Sequence, residues 1–166
     1  SRQADNEPVK RSGAKVGDRI CVTGSLGGSL KGRHLEFVPR VEEALRIAQT
    51  VKINSMMDLS DGISSDLKRI CMQSGVGAVI DAERIPVSDE AARTKDPLNS
   101  ALNDGEDFEL LFTLSRRDCK QLLDTWSGSV PITLIGEITA NRRVQLKMAD
   151  GRVRALRPKG YDHLKN

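Results

Sequence analysis

Apolar residues along this chain recur with two spacings, and the switches between them outline its elements. Ile63, Leu67, Ile70 and Cys71 fall at the i, i+4, i+7, i+8 spacing of one helix face. Ser60 stands where an N-cap belongs and Gly75 just past the last turn, so a helix is expected between them. Ahead of it, Val51-Lys52-Ile53-Asn54-Ser55-Met56-Met57 alternates loosely, as a strand does. Earlier still, Arg19-Ile20-Cys21-Val22-Thr23 reads as a short strand ending in Gly24, followed by a glycine-rich loop. A helix is expected after Pro39, with an apolar stripe of Val41, Leu45 and Ala48. Val76-Gly77-Ala78-Val79-Ile80 has the look of a compact buried strand, and Pro86 and Ser88 open a helix near 90–94. An acid-rich turn over 103–107 leads into a strand over 108–113, and Ser115 caps a helix carrying Cys119, Leu122, Leu123 and Trp126. A strand over 132–138 is followed by runs at 144–148 and 153–156, between which Asp150-Gly151 signals a hairpin. Strands and helices alternate early and a hairpin closes the chain, which predicts an α/β chain of the α+β type with helices on a mixed sheet. Residues 1–16 are poor in apolar side chains and read as a flexible lead-in to a domain over 17–166.

Composition narrows the chemistry. The chain has 166 residues, 38% hydrophobic and 30% charged, which suits one globular domain. No apolar run approaches the length that crosses a bilayer, and the N-terminus has no signal-peptide core. The three cysteines are far apart and none forms a CxxC pair, so buried thiols in a reducing cytoplasm are expected. With only His34 and His163, a histidine metal site or a Ser-His-Asp triad has little to work with. Residues 141–166 carry eight Lys or Arg against Asp150 and Asp162, within a net charge of +3. A solvated hairpin face accounts for them better than nucleic acid does, because aromatics make up only 3% of the chain. Residues 27–34 approach a phosphate-cradling GxxxxGK[ST] loop, but Arg33 and His34 replace its lysine and hydroxyl, so that mechanism fails.

The candidate chemistry lies in Met57-Asp58-Leu59-Ser60-Asp61-Gly62-Ile63. Two carboxylates sit three residues apart where a strand pattern gives way to a helical one. Such a junction offers backbone N–H groups to a phosphate, and carboxylates to the magnesium that accompanies it. Capping alone explains many Ser-Asp-Gly segments. Asp58, however, lies ahead of the expected cap, and Gly62 costs about 1 kcal/mol against Ala in a first turn unless something approaches the backbone closely. A second acidic turn, Asn103-Asp104-Gly105-Glu106-Asp107, presents carboxylates beside a hydrophobic strand.

Taken in order, Gly17-Asp18, Thr23-Gly24-x-x-Gly27, residues 57–62, residues 105–113, Ile135-Gly136-Glu137-Ile138 and Gly160-Tyr161-Asp162-His163 form a specific series. That series resembles the C-terminal domain of the thiamine-monophosphate kinase family, within the aminoimidazole ribonucleotide synthetase superfamily, over nearly everything after Lys15. The resemblance implies a kinase that uses ATP and Mg²⁺ to convert thiamine monophosphate to thiamine diphosphate. It would make Asp58 and Asp61 magnesium ligands, Ser60 a nucleotide contact, and Glu106 and Tyr161 substrate contacts. No side chain would serve as a covalent catalyst, since phosphoryl transfer needs positioning and charge neutralisation above all. It further implies a missing N-terminal domain that supplies more ligands, and a homodimer in the full-length enzyme, so that this half is inactive alone. Asp104 departs from the glycine usual before Gly-Glu-Asp in the family. Another ATP-using member of the superfamily and a non-catalytic binding module with the same fold are the alternatives.

Overall fold

A computed structural model of the chain describes residues 9–27, 40–105 and 109–157. Seven strands form one sheet: β1 (Arg19–Thr23), β2 (Ser55–Asp58), β3 (Gly77–Asp81), β4 (Leu110–Leu114), β5 (Ile132–Thr139), β6 (Val144–Lys147) and β7 (Val153–Ala155). Their spatial order is β2-β4-β1-β5-β3-β6-β7, antiparallel throughout except where β3 pairs in parallel with β6. The helices are α1 (Val41–Thr50), α2 (Ile63–Ser74), α3 (Asp89–Ala92), α4 (Pro97–Asn103) and α5 (Arg116–Thr125). The mixed sheet with helices is thus as expected. None of the helices is long and apolar enough to cross a membrane.

Two hydrophobic clusters lie on opposite faces of the sheet. One joins Ile63, Leu67, Ile70 and Cys71 of α2 to Ile20, Val22, Leu111 and Ile138, which accounts for the spacing of that helical stripe. The other joins Ile47 of α1 and Cys119 and Leu122 of α5 to Cys21, Phe112 and Leu114. β4 is covered on both sides, so all five of its residues are buried and its sequence is apolar almost throughout.

Several local expectations are corrected. The face of α1 that meets the core carries Ala44 and Ile47, while Val41 and Leu45 are 63% and 59% exposed. The i, i+4 pair that looked like a core stripe points outward, because α1 docks through residues one step around the helix. The loosely alternating stretch extends only from Ser55 to Asp58, with Val51 and Ile53 packing their side chains from the turn before it. Trp126 lies just past the end of α5, donating its Nε1–H to Val130 O at 2.8 Å under the Arg46 guanidinium. α4 was not anticipated, although Asp96 accepts from Asn99 N and Pro97 opens the first turn, the pattern of a capped helix start. The strand near 108–113 is placed at Leu110–Leu114, and Phe108 lies outside the described residues. Beyond these, the Asp-Gly hairpin joins β6 to β7 with Gly151 at φ 89°, and Ser115 caps α5 through Asp118 N.

A carboxylate with several polar partners is buried beside β1. Glu109 is 1% exposed, and its carboxylate accepts from Thr23 Oγ1 at 2.8 Å and from Arg40 Nε and Nη2 at 2.8 and 3.0 Å. Thr23 Oγ1 in turn accepts from Leu110 N at 2.8 Å. The carboxylate fits only because residue 24 has no side chain: a Cβ there would stand 2.0 Å from Glu109 Oε2, and the backbone is left-handed at φ 68°. The Thr-Gly pair is therefore a cradle for a carboxylate far along the chain.

Arg40→Ala, which strands that buried charge, is expected to cost about 3 kcal/mol in urea unfolding, and adding Glu109→Gln should recover part of the loss. Gly24→Ala should cost about 2 kcal/mol with no such rescue. All three cysteines are free and buried, and desolvation pushes the Cys71 thiol up to about 12. Iodoacetamide should therefore leave native Cys71 unmodified from pH 7 to pH 9 and label it rapidly once urea unfolds the chain, as peptide mass mapping would record.

Candidate functional site

β2 delivers Asp58 as its last residue, paired with Leu110 across the sheet edge, with its side chain exposed. Leu59 is buried and anchors the chain as it leaves the strand, and its N–H donates to Glu109 O at 2.8 Å. Ser60 and Asp61 then stand exposed before the backbone turns sharply at Gly62 into α2. Asp58 and Asp61 thus border one short loop and both reach solvent.

The loop is not capped as its sequence suggested. Gly62, at φ 98°, occupies the N-cap position, and Ser60 does not cap the helix. Asp66, buried in the first turn of α2, reaches back instead: its Oδ2 accepts from Ser60 N at 2.8 Å and from Asp61 N at 3.1 Å. Burial pushes the Asp66 carboxyl above its usual range, against the pull of those two N–H donors and of Arg69. Arg69 bridges the two acids, with Nη1 2.6 Å from Asp61 Oδ2 and bonded also to Asp66 Oδ1. The Asp61 carboxylate, hydrogen-bonded to it, in return raises the affinity of the Arg69 guanidinium for its proton.

Gly62 is required by its neighbours. Besides the positive φ, a Cβ at position 62 would lie 3.0 Å from the carbonyls of Leu102 and Asn103, where α4 ends. The close approach inferred at this glycine is thus made by the end of α4. A Cβ at position 105 would likewise stand 2.7 Å from Ser60 O. The loop bearing Asp58 and Asp61 and the chain entering the second acidic turn therefore lie side by side, at 2.8 Å through Leu59 and Glu109 and in contact through Ser60 and Gly105. Glu106 itself, and Tyr161 near the C-terminus, lie outside the described residues.

Asp58 and Ser60 also line a hollow of about 730 Å³ whose other wall includes Lys10 and Arg11, ahead of the sheet. Residues 11–13 form a 3₁₀ turn there, and Lys10 O accepts from Met56 N at 3.1 Å. Two buried oxygens near the loop have no partner among the described residues, Ser64 Oγ in the first turn of α2 and Asn103 Oδ1 at the end of α4. Among the described residues no group of three or more His, Cys, Asp or Glu could hold a metal ion. The exposed acids of this loop, Asp58 and Asp61, number two, and a magnesium ion that keeps waters and substrate phosphates among its ligands would take one or two carboxylates from a protein.

Asp66, Arg69, Arg40 and Glu109 escaped the sequence reading. Asp66 had a signal, an acid near the start of a helix in position to reach back to the preceding backbone, as the third-position acid of a capping box does. Arg69 had one too, three residues after Asp66 on the same helix; Arg40 and Glu109 had none, since they partner each other from distant parts of the chain.

The chain matches the family described as AIR synthase related protein, C-terminal domain, over residues 15–149. A thiamine-monophosphate kinase of Rhodopirellula baltica is 37% identical over 162 residues, covering 95% of this chain and 51% of that protein. The Escherichia coli (strain K12) thiamine-monophosphate kinase is 38% identical over 181 residues, covering 93% of this chain and 55% of its own length. The structure of AaThiL complexed with AMPPCP and TMP aligns with a TM-score of 0.67 at 29% identity, over 87% of this chain and 51% of that one. The chain spans about half the length of these relatives. With the sheet and the cradle in place, and most of its length matched, the chain belongs to the AIR synthase related proteins, as their C-terminal domain.

Proposed function

We propose that this domain is the C-terminal half of an ATP-dependent kinase that converts thiamine monophosphate to thiamine diphosphate. The observation that carries the reading is the side-by-side packing of the two acidic motif segments, joined by Leu59 N–H to Glu109 O at 2.8 Å, with Asp58 and Asp61 left exposed beside them. The relatives' names and the AMPPCP and TMP in the AaThiL complex favour the same substrates. The free, buried thiols are in keeping with a cytoplasmic setting.

In this reading Asp58 and Asp61 hold Mg²⁺, which when bound offsets charge on the phosphate groups. Ser60 contacts the nucleotide, and Lys10 and Arg11, on the far wall of the hollow, add positive potential toward its phosphates. An oxygen of the thiamine monophosphate takes the γ-phosphoryl group, the bond to the β-phosphate oxygen breaks, and ADP leaves. Glu106 and Tyr161 contact the thiamine. The chain's own contribution is to hold charged groups in register: Asp66 fixes the backbone of Ser60 and Asp61 by two hydrogen bonds, so the loop is set before ligand arrives. Arg69 neutralises Asp61 until a cation displaces it. The other half of the relatives' length would supply further ligands and the contact surface of a homodimer.

This chain as sole enzyme should give no ATP-dependent thiamine diphosphate, while adding a polypeptide that supplies the other half should restore turnover; activity of this chain alone, or none from the pair, would count against the reading. In calorimetry, Asp61→Asn should abolish magnesium-dependent nucleotide binding. Arg69→Gln should tighten Mg²⁺ binding about two- to fivefold, because its ion pair with Asp61 is half-exposed and worth little. Asp66→Asn should cost about 2 kcal/mol in unfolding, through weakened hydrogen bonds to the loop.

A further inference from the structure

The C-terminal half of α2 and the β6–β7 hairpin enclose a cavity of about 680 Å³ that the proposed kinase chemistry does not use. Among the described residues its charged side chains are Lys68, Arg142, Arg143 and Arg157, with no carboxylate in the lining. Among the described residues, no acid pairs with the guanidinium of Arg142, Arg143 or Arg157. Between these cations the wall is apolar, built from Met72, Val76, Val144 and Leu156, and Met72 is 72% exposed. Arg142 is the one non-glycine residue at positive φ among those described, at 61°. Asn141 holds the turn, its Oδ1 accepting from Arg143 N at 2.9 Å. A long cationic side chain in a backbone conformation that suits glycine is a cost kept where it serves a purpose.

We propose that this cavity binds a nucleoside phosphate, with the phosphates against Arg142, Arg143 and Arg157 and the base against Met72 and Val144. The volume lies in the range of small-molecule sites. Clustered arginines suit a multiply charged phosphate, since each guanidinium can donate two parallel hydrogen bonds. The thioether and the branched side chains suit the flat face of a base. A thiamine phosphate meets the same cations with a fixed positive charge on its ring, so an uncharged base is favoured. The site is separate from Asp58 and Asp61 and independent of the kinase reading.

The test is titration of the full chain with fluorescent N-methylanthraniloyl-ADP in EDTA, which silences any magnesium-dependent site. One saturable binding event is expected, weakening steeply with salt and unchanged by Asp61→Asn. Arg142→Gly should weaken it at least fivefold without lowering the unfolding temperature, because glycine suits that backbone, and Arg157→Gln should act in the same direction. Unlabelled ADP should displace the probe at least tenfold better than pyrophosphate, thiamine diphosphate or polyglutamate. Absence of saturable binding, indifference to both arginine substitutions, or equal displacement by any of those three competitors would overturn the proposal.

Discussion

A single buried carboxylate organises this domain. Glu109, just ahead of β4, sits almost without solvent with its carboxylate between Thr23 of β1 and Arg40, and a charge in that position is tolerable only when fully partnered. Thr23 supplies a hydroxyl, Arg40 supplies two N–H groups, and Gly24 supplies room. The same residue's carbonyl accepts from Leu59, so the interaction that joins β1 to the start of α1 also sets where the acidic loop leaves β2. Taking away any partner would leave a charge or an acceptor in the interior, which is why three segments distant in sequence are held together.

The acidic loop repeats this logic on a smaller scale. Asp66 is buried and grips two backbone N–H groups, while Arg69 ties it to exposed Asp61. A rigid inner carboxylate thus presents an outer one, and only the outer one is free to change partner at small cost. α2 carries Asp66 in its first turn and no basic residue in its last, and the arginines near its C-terminal end, Arg142, Arg143 and Arg157, come from outside the helix.

Legibility in the sequence followed the range of the interactions. The stripe on α2, the Gly75 C-cap, the Asp150-Gly151 hairpin and the Ser115 cap were readable because each depends on residues within a few positions, and each is present. The stripe on α1 misled because Val41 and Leu45 repeat at helical spacing, while the cluster that takes up Ile47 is built from residues far along the chain, among them Phe112, Leu114 and Leu122. Ser60 misled for the opposite reason. A local capping signal was overruled by Asp66, whose burial in the core fixes the loop by another route.

What the sequence by itself determined is the local order: where strands and helices start and stop, which residues carry charge, and which short segments mark the family. Those properties follow from backbone preferences and side-chain spacing, which act over a turn or two. Tertiary structure alone decided that Gly24 makes room for Glu109, that Gly62 yields to the end of α4, and that Asp58 and Asp61 face solvent beside the second acidic segment. Each of these depends on packing and desolvation between segments remote along the chain, and no periodicity within a single segment encodes it.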